Sequence, residues 1–264
     1  DPDAAVKLTG KVGKTSFGFL AASDKAPGNY DEDDRNDPSV RPRVDEFLDK
    51  NAMFGVLRLK RDFGKENNIG FFATYRSFPE QKNTLASVDG RIKLNAKTTT
   101  TFQLVGTHSK RCFFETAFDA NADPTQAQRN REICGGGTFG GVTQLGSPFN
   151  QYRVGNGVGY YANLDYSTDR HGYFFEAGGQ SKDYRADAGF TRRTNTNFAF
   201  AFNRFSTKSD AKASIIRASW ALFSGIDYDW SGRLQRFRAG TNVNLSLQRN
   251  TYVFIESAIV YDKL

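Results

Sequence analysis

The sequence predicts an all-β fold, an antiparallel up-and-down transmembrane β-barrel occupying residues 1–264. Three observations predict it. Apolar residues recur at every second position along most of the chain, several of these segments run for ten residues or more, and the connections between them sort by length. Period two places successive side chains on opposite faces of a strand. A tilted strand needs about 9–11 residues to cross a hydrocarbon core, longer than the strands usual in soluble folds.

About thirteen strands are expected, beginning near residues 5, 15, 51, 68, 84, 98, 157, 171, 184, 196, 213, 233 and 251. Val88, Gly90, Ile92 and Leu94 alternate with Asp89, Arg91, Lys93 and Asn95, which defines the fifth. In the seventh, Val158, Tyr160, Ala162, Leu164 and Tyr166 alternate with Tyr161, Asn163, Asp165 and Ser167. Phe198, Phe200 and Phe202 mark one side of the tenth. The segment 212–230 keeps one phase through Ala218, Trp220, Leu222, Ile226, Tyr228 and Trp230 and is too long for a single crossing. The clearest alternation sets Phe237, Ala239, Val243, Leu245 and Leu247 against Arg236, Arg238, Asn242, Asn244 and Gln248. The reading sends Val158, Tyr160, Leu164, the three Phe, Val243, Leu245 and Leu247 to lipid. It sends Arg91, Lys93, Asn163, Asp165, Arg236, Arg238, Asn242 and Asn244 to the lumen.

Alternate connections fall on the same side of an up-and-down barrel. The first, third, fifth, seventh, ninth and eleventh connections are short (14, 63–67, 96–97, 168–170, 192–195 and 230–232), whereas the long loops 24–50 and 110–156 have the other parity. Short turns on one side and long loops on the other is the arrangement of outer-membrane barrels, with the short side periplasmic. Single-chain bacterial barrels have an even strand count, so an odd count leads to the expectation of at least one further strand, or an upstream domain, outside this sequence. Residues 1–8 show no charged region followed by an apolar one, so an exported chain would already have lost its signal peptide.

Composition narrows the class. No apolar run is long enough for a spanning helix. A mean hydropathy of −0.58 does not argue against strands that are apolar only at alternate positions. Aromatic residues make up 14%, with 24 Phe and 11 Tyr, a density suited to strands and interfacial girdles. The 36 Lys and Arg against 29 Asp and Glu give +7, but they are scattered through turns and alternate positions rather than gathered on one stripe. Nucleic acid is therefore not an expected partner, and outer-membrane lipid is.

Several segments carry a resemblance. Leu8-Thr9-Gly10-Lys11-Val12-Gly13 precedes Phe17-Gly18-Phe19-Leu20, and residues 56–64 (VLRLKRDFG) lead into 69–74 (IGFFAT). Residues 184–190 (YRADAGF) and 228–234 (YDWSGRL) complete the set. Together they resemble the C-terminal barrel of a bacterial outer-membrane family of unknown function, whose members often carry an N-terminal carbohydrate-binding-like module of the family-nine type. The resemblance implies an upstream module, a link to saccharides and no assigned catalytic residues.

Candidate sites are few. Cys112 and Cys134 fall in one long loop, as expected of a disulfide at an oxidising cell surface. Asp31, Asp33, Asp34 and Asp37 supply hard oxygen ligands at a density that could hold Ca²⁺, yet the glycine of an EF-hand is missing and Arg35 interrupts them. A hydrated acidic loop explains them as well. The glycine run 135–141 lacks the Lys-Ser/Thr that ends a phosphate-binding loop, leaving a surface loop or a pore constriction. The turn at 60–68 is basic enough to bind lipid, or is simply solvated. His108 and His171 belong to no nucleophile or zinc pattern, and no cofactor is implied. Strand carboxylates such as Asp89, Glu176, Asp187 and Glu256 are expected to neutralise Arg91, Arg185, Arg217 or Arg238 on neighbouring strands. The leading expectation is a channel or uptake component for small polar solutes, saccharides included by family analogy. A structural anchor for a surface domain or larger membrane complex, and a membrane-embedded hydrolase, are the alternatives.

Overall fold

The computed structural model describes residues 2–25, 32–38, 41–114, 123–134, 138–139, 142–143, 150–189 and 193–263. Twelve long strands form one antiparallel sheet in strictly sequential order. They are β1 (Ala4–Val12), β2 (Thr15–Asp24), β3 (Ala52–Phe63), β4 (Asn67–Phe78), β5 (Gln81–Asn95), β6 (Thr98–Phe114), β9 (Asn150–Ser167), β10 (His171–Gln180), β11 (Thr196–Ser206), β12 (Ile215–Tyr228), β13 (Leu234–Leu247) and β14 (Thr251–Asp262). A separate two-residue pair, β7 (Thr138–Phe139) and β8 (Val142–Thr143), sits in the long loop after β6. Among the described residues β1 and β14 are edge strands, and the sheet is not closed between them.

Two faces follow from the register. Asn83 pairs with Ser109, Arg111 with Arg153, Tyr161 with Gly178, Glu176 with Phe200, Phe202 with Phe223, Gly225 with Arg238 and Asn242 with Glu256, so these residues share one face. This inner face bounds a cavity of about 740 Å³ lined by residues from β6 to β14, which requires the sheet to curl. The outer face carries Phe19, Leu59, Ile69, Phe71, Val88, Leu104, Val158, Phe175 and Leu222, all exposed.

The ninth expected strand is absent among the described residues. Residues 181–189, placed in a strand beginning near 184, are an irregular segment between β10 and β11. The long strands of the described residues number twelve, an even count. Every later connection also changes side: 193–195 and 230–232 join the end that bears the long loops, and 207–214 joins the short-turn end. Both long connections, 25–51 and 115–149, still lie at one end. Phe198, Phe200 and Phe202 are a second correction. They share the inner face with Glu176, Asp165 and Tyr161 rather than facing lipid.

Short helices dress the long-loop end. α1 (Glu32–Asn36) and α2 (Arg41–Phe47) lie between β2 and β3, and Phe47 stacks on Phe78 at 5.6 Å. Phe47, Phe78 and Ala52 form a small buried cluster on the inner side of β3 and β4, with Phe54 against it. α3 (Pro124–Cys134) lies beside β9 where that strand runs beyond the end of β10. There Asn130 Oδ1 accepts from the Tyr152 amide and Gln126 Nε2 donates to the Tyr152 carbonyl. The helix thus satisfies backbone groups that an exposed strand edge would leave open. A Cys112–Cys134 disulfide ties its last turn to β6.

Candidate pore lining and mouth

The segment 181–189 lies across the inner face and reaches β5, three places along the sheet from β10. Its anchors are specific. Ser181 and Val158 exchange backbone and side-chain bonds at 2.9 Å. Arg153 forks onto Asp183 at 2.7 and 2.9 Å. Tyr184 is buried against Leu85 and Val105, and burial raises its phenol pKa. Asn83, itself fully buried, donates to the Arg185 carbonyl at 3.0 Å and accepts from the Asp187 amide at 3.3 Å. Asp187 receives Arg111 at 2.7 Å and lies 3.8 Å from Arg76. The local sequence permits this approach at one point above all: a Cβ on Gly157 would fall 2.3 Å from the Tyr184 Cα.

Four guanidinium groups (Arg76, Arg111, Arg153 and Arg185) thus gather around two carboxylates at the mouth. Phe113, 1% exposed, has Arg153 at 4.5 Å and Arg185 at 5.1 Å from its ring centroid. Arg185 donates to the Lys182 and Tyr184 carbonyls. Burial first, and then repulsion from Arg111, lowers its pKa.

Below Tyr184 the cavity has an aromatic floor of Phe198, Phe200, Phe223 and Tyr161, and a rim of Arg193, Asp227, Arg236 and Arg238. Arg236 meets Asp227 at 2.9 Å, and Arg238 pairs with Glu256 and lies over the Phe223 ring. The Tyr161 hydroxyl donates to Glu176 at 2.8 Å. A second recess of about 560 Å³ is lined by Arg58, Asp89, Arg91 and Tyr161 among others. There Arg58 forks onto Asp89. It crosses β4 to do so, over Gly70, whose added Cβ would lie 2.6 Å from the guanidinium. Of the carboxylates singled out, Glu256 takes Arg238 as expected, whereas Asp89 takes Arg58, Glu176 takes a tyrosine, and Asp187, which is not on a strand, takes Arg111.

The residues singled out in the sequence are distributed as follows. Arg91 lines the smaller recess and Arg236 and Arg238 the larger. Asp165 lies on the same face, opposite Phe174, and Lys93 shares that face and pairs with Glu66. His108 and His171 lie on the outer face, bonded to Asn156 and Asn203 respectively. Of the acidic loop, Asp33 and Asp37 flank or belong to α1, while Asp31 and the Asp34 side chain lie outside the described residues. Among the described residues no cluster of three metal-ligating side chains occurs. The glycine run 135–141 lies outside the described residues apart from β7. The inward course of the 181–189 segment, and the gathering of Arg76, Arg111 and Arg153 around it, are not visible in the sequence. The segment's only sequence signal was the charge of Arg185 and Asp187 within an otherwise ordinary period-two stretch.

Outside, aromatic side chains collect near both ends of the strands. Near the short turns Tyr166 stacks on Tyr173 at 4.8 Å, His171 on Phe205 at 4.9 Å and Phe205 on Trp220 at 5.9 Å. Toward the long-loop end Tyr160 meets Trp230 edge-on, with Tyr228 on the same outer parity of β12 as Trp220. Trp220 and Tyr228 are separated by about 27 Å of strand at the usual rise, or roughly 20 Å of height at barrel tilt, near the height of a barrel's apolar band. No helix among the described residues is long and apolar enough to cross a membrane.

No family model and no curated protein matches the chain. Among solved structures it is similar to Pseudomonas aeruginosa OccK8 (OprE), with a TM-score of 0.38 and 12% identity. The match covers 94% of this chain and 65% of that one, so the chain spans less than two thirds of that protein's length.

Proposed function

We propose that this chain forms the wall of an outer-membrane channel or uptake barrel for small polar solutes, saccharides among them. The observation that carries this reading is the opposite chemistry of the two faces: an apolar outer face between two aromatic rows, and an inner face of arginines, carboxylates and aromatic rings around a cavity. Aromatic rings beside paired charged groups suit a solute with both C–H faces and hydroxyls. The saccharide element also draws on the family resemblance in the sequence. The test is conductance. Purified protein in a planar bilayer is expected to give ohmic steps with little charge selectivity, and loaded vesicles to swell in a small saccharide but not in a large dextran.

One observation favours a second reading, a membrane anchor with a filled interior. The segment 181–189 and α2 both fold inward at the long-loop end. If correctly inserted protein is silent, and stays silent when residues 182–189 are replaced by a short glycine-serine link, the anchor reading replaces the channel.

A further inference from the structure

The chain's positive charge is concentrated at one end. The six short-end connections with their flanking residues (11–16, 60–68, 91–98, 165–171, 204–217 and 247–251) hold fourteen Lys and Arg against five Asp and Glu. That excess of nine is larger than the +7 of the whole chain. Lys14, Arg61, Lys97, Arg170, Lys208 and Arg249 are all exposed, and none has a carboxylate partner among the described residues. At the long-loop end, by contrast, arginines are drawn into pairs with Asp183 and Asp187.

These cations stand next to the outer-face aromatic row of Tyr166, Tyr173, Phe205 and Trp220. Tyrosine and tryptophan settle at headgroup depth because one part of the ring is apolar and another donates hydrogen bonds. Trp220 Nε1 does so here, to Thr241 at 2.6 Å. Arg170 and Lys208 follow the row by a few residues at the strand ends, which puts them at the phosphate level if the row marks the interface.

We infer that the short-turn rim is a docking surface for the anionic phospholipid headgroups of the leaflet it meets, phosphatidylglycerol being the simplest such lipid. The inference rests on the membrane reading above and does not require the barrel to conduct. Long-range attraction to anionic lipid grows with each nearby Lys or Arg and decays within a Debye length. The unpaired cations supply this attraction, while the aromatic row fixes the depth at which it acts.

The experiment uses the full chain reconstituted in phosphatidylcholine vesicles containing trace spin-labelled phosphatidylglycerol or phosphatidylcholine. The protein-immobilised fraction is read by electron paramagnetic resonance. Phosphatidylglycerol is expected to associate roughly threefold or more strongly than phosphatidylcholine, and the preference is expected to fall towards one in 0.5 M salt. The triple variant Lys14→Gln/Lys97→Gln/Lys208→Gln is expected to lose most of it. A matched variant at the other end, Lys25→Gln/Lys50→Gln/Lys82→Gln, is expected to keep it. All six positions are exposed, so both variants retain the packed structure. Equal association of the two lipids, or an equal loss in both variants, overturns the inference. Loss of the preference on adding millimolar inorganic phosphate at constant ionic strength assigns the rim to a soluble anion instead. Absence of any immobilised lipid overturns the membrane reading itself, a different failure from a silent bilayer.

Discussion

Phe198, Phe200 and Phe202 alternate with Ala199 and Ala201, so both parities of β11 are apolar and hydrophobicity alone cannot orient the strand. Side-chain size points the three rings toward lipid. The register points them inward, because Phe200 lies opposite Glu176 and Phe202 opposite Phe223. Where one parity is charged, as for Arg236 and Arg238 against Phe237 and Ala239, the two faces are legible from the residues themselves. Single cysteines discriminate the assignment. A membrane-impermeant maleimide is expected to label Phe200→Cys in reconstituted protein and to leave Ala199→Cys unlabelled, and the reverse result restores the lipid-facing orientation. Gly157 is the second decisive residue, since any side chain there meets the backbone at Tyr184. Gly157→Val is expected to lift the segment off β9 at a cost of about 1–3 kcal/mol in overpacking. Trypsin would then cut at Lys182 or Arg185, where the wild type resists, and resistance in the variant would show that the segment is not held there.

Most strands were legible because a half-buried strand writes its period into the sequence. Residues 184–189 show why one expected strand did not form. Tyr184, Ala186 and Ala188 alternate with Arg185, Asp187 and Gly189 as any strand might, and what removes them from the sheet lies in partners far along the chain, Asn83, Thr107 and Arg153. No local rule sees those. Turn chemistry, in contrast, is local. Between β12 and β13 the Asp229 carboxylate accepts the Ser231 and Arg233 amides at 2.9 Å and the Arg233 side chain at 2.7 Å. These bonds, led by the Arg233 amide, hold its pKa below the usual carboxylate range. A depressed acid contributes stability above its unfolded-state pKa and loses it as pH falls through the folded-state value. Asp229→Asn is therefore expected to lower the thermal midpoint at neutral pH and to narrow its difference from wild type in acid. A difference that stays constant down to pH 2 would remove the carboxylate from the account.

At the scale of the molecule, sequential hairpins and the gathering of long loops at one end were readable, and the interior was not. Loop length is a property of sequence, whereas a cavity depends on how far twelve strands curl. Here the 181–189 segment has a mechanical meaning. β5, β6, β9 and β10 describe an arc, and the segment leaves β10 and fastens to Asn83 on β5, with Arg185 102 residues from its partner in sequence. It is a chord drawn across that arc. With its ends fixed, the radius of this part of the wall is fixed too, and flattening it requires the Asn83, Arg111 and Arg153 bonds to break. No comparable tie spans β11 to β14 among the described residues, so any change of girth is taken up on that side, in the half of the wall that carries the aromatic floor.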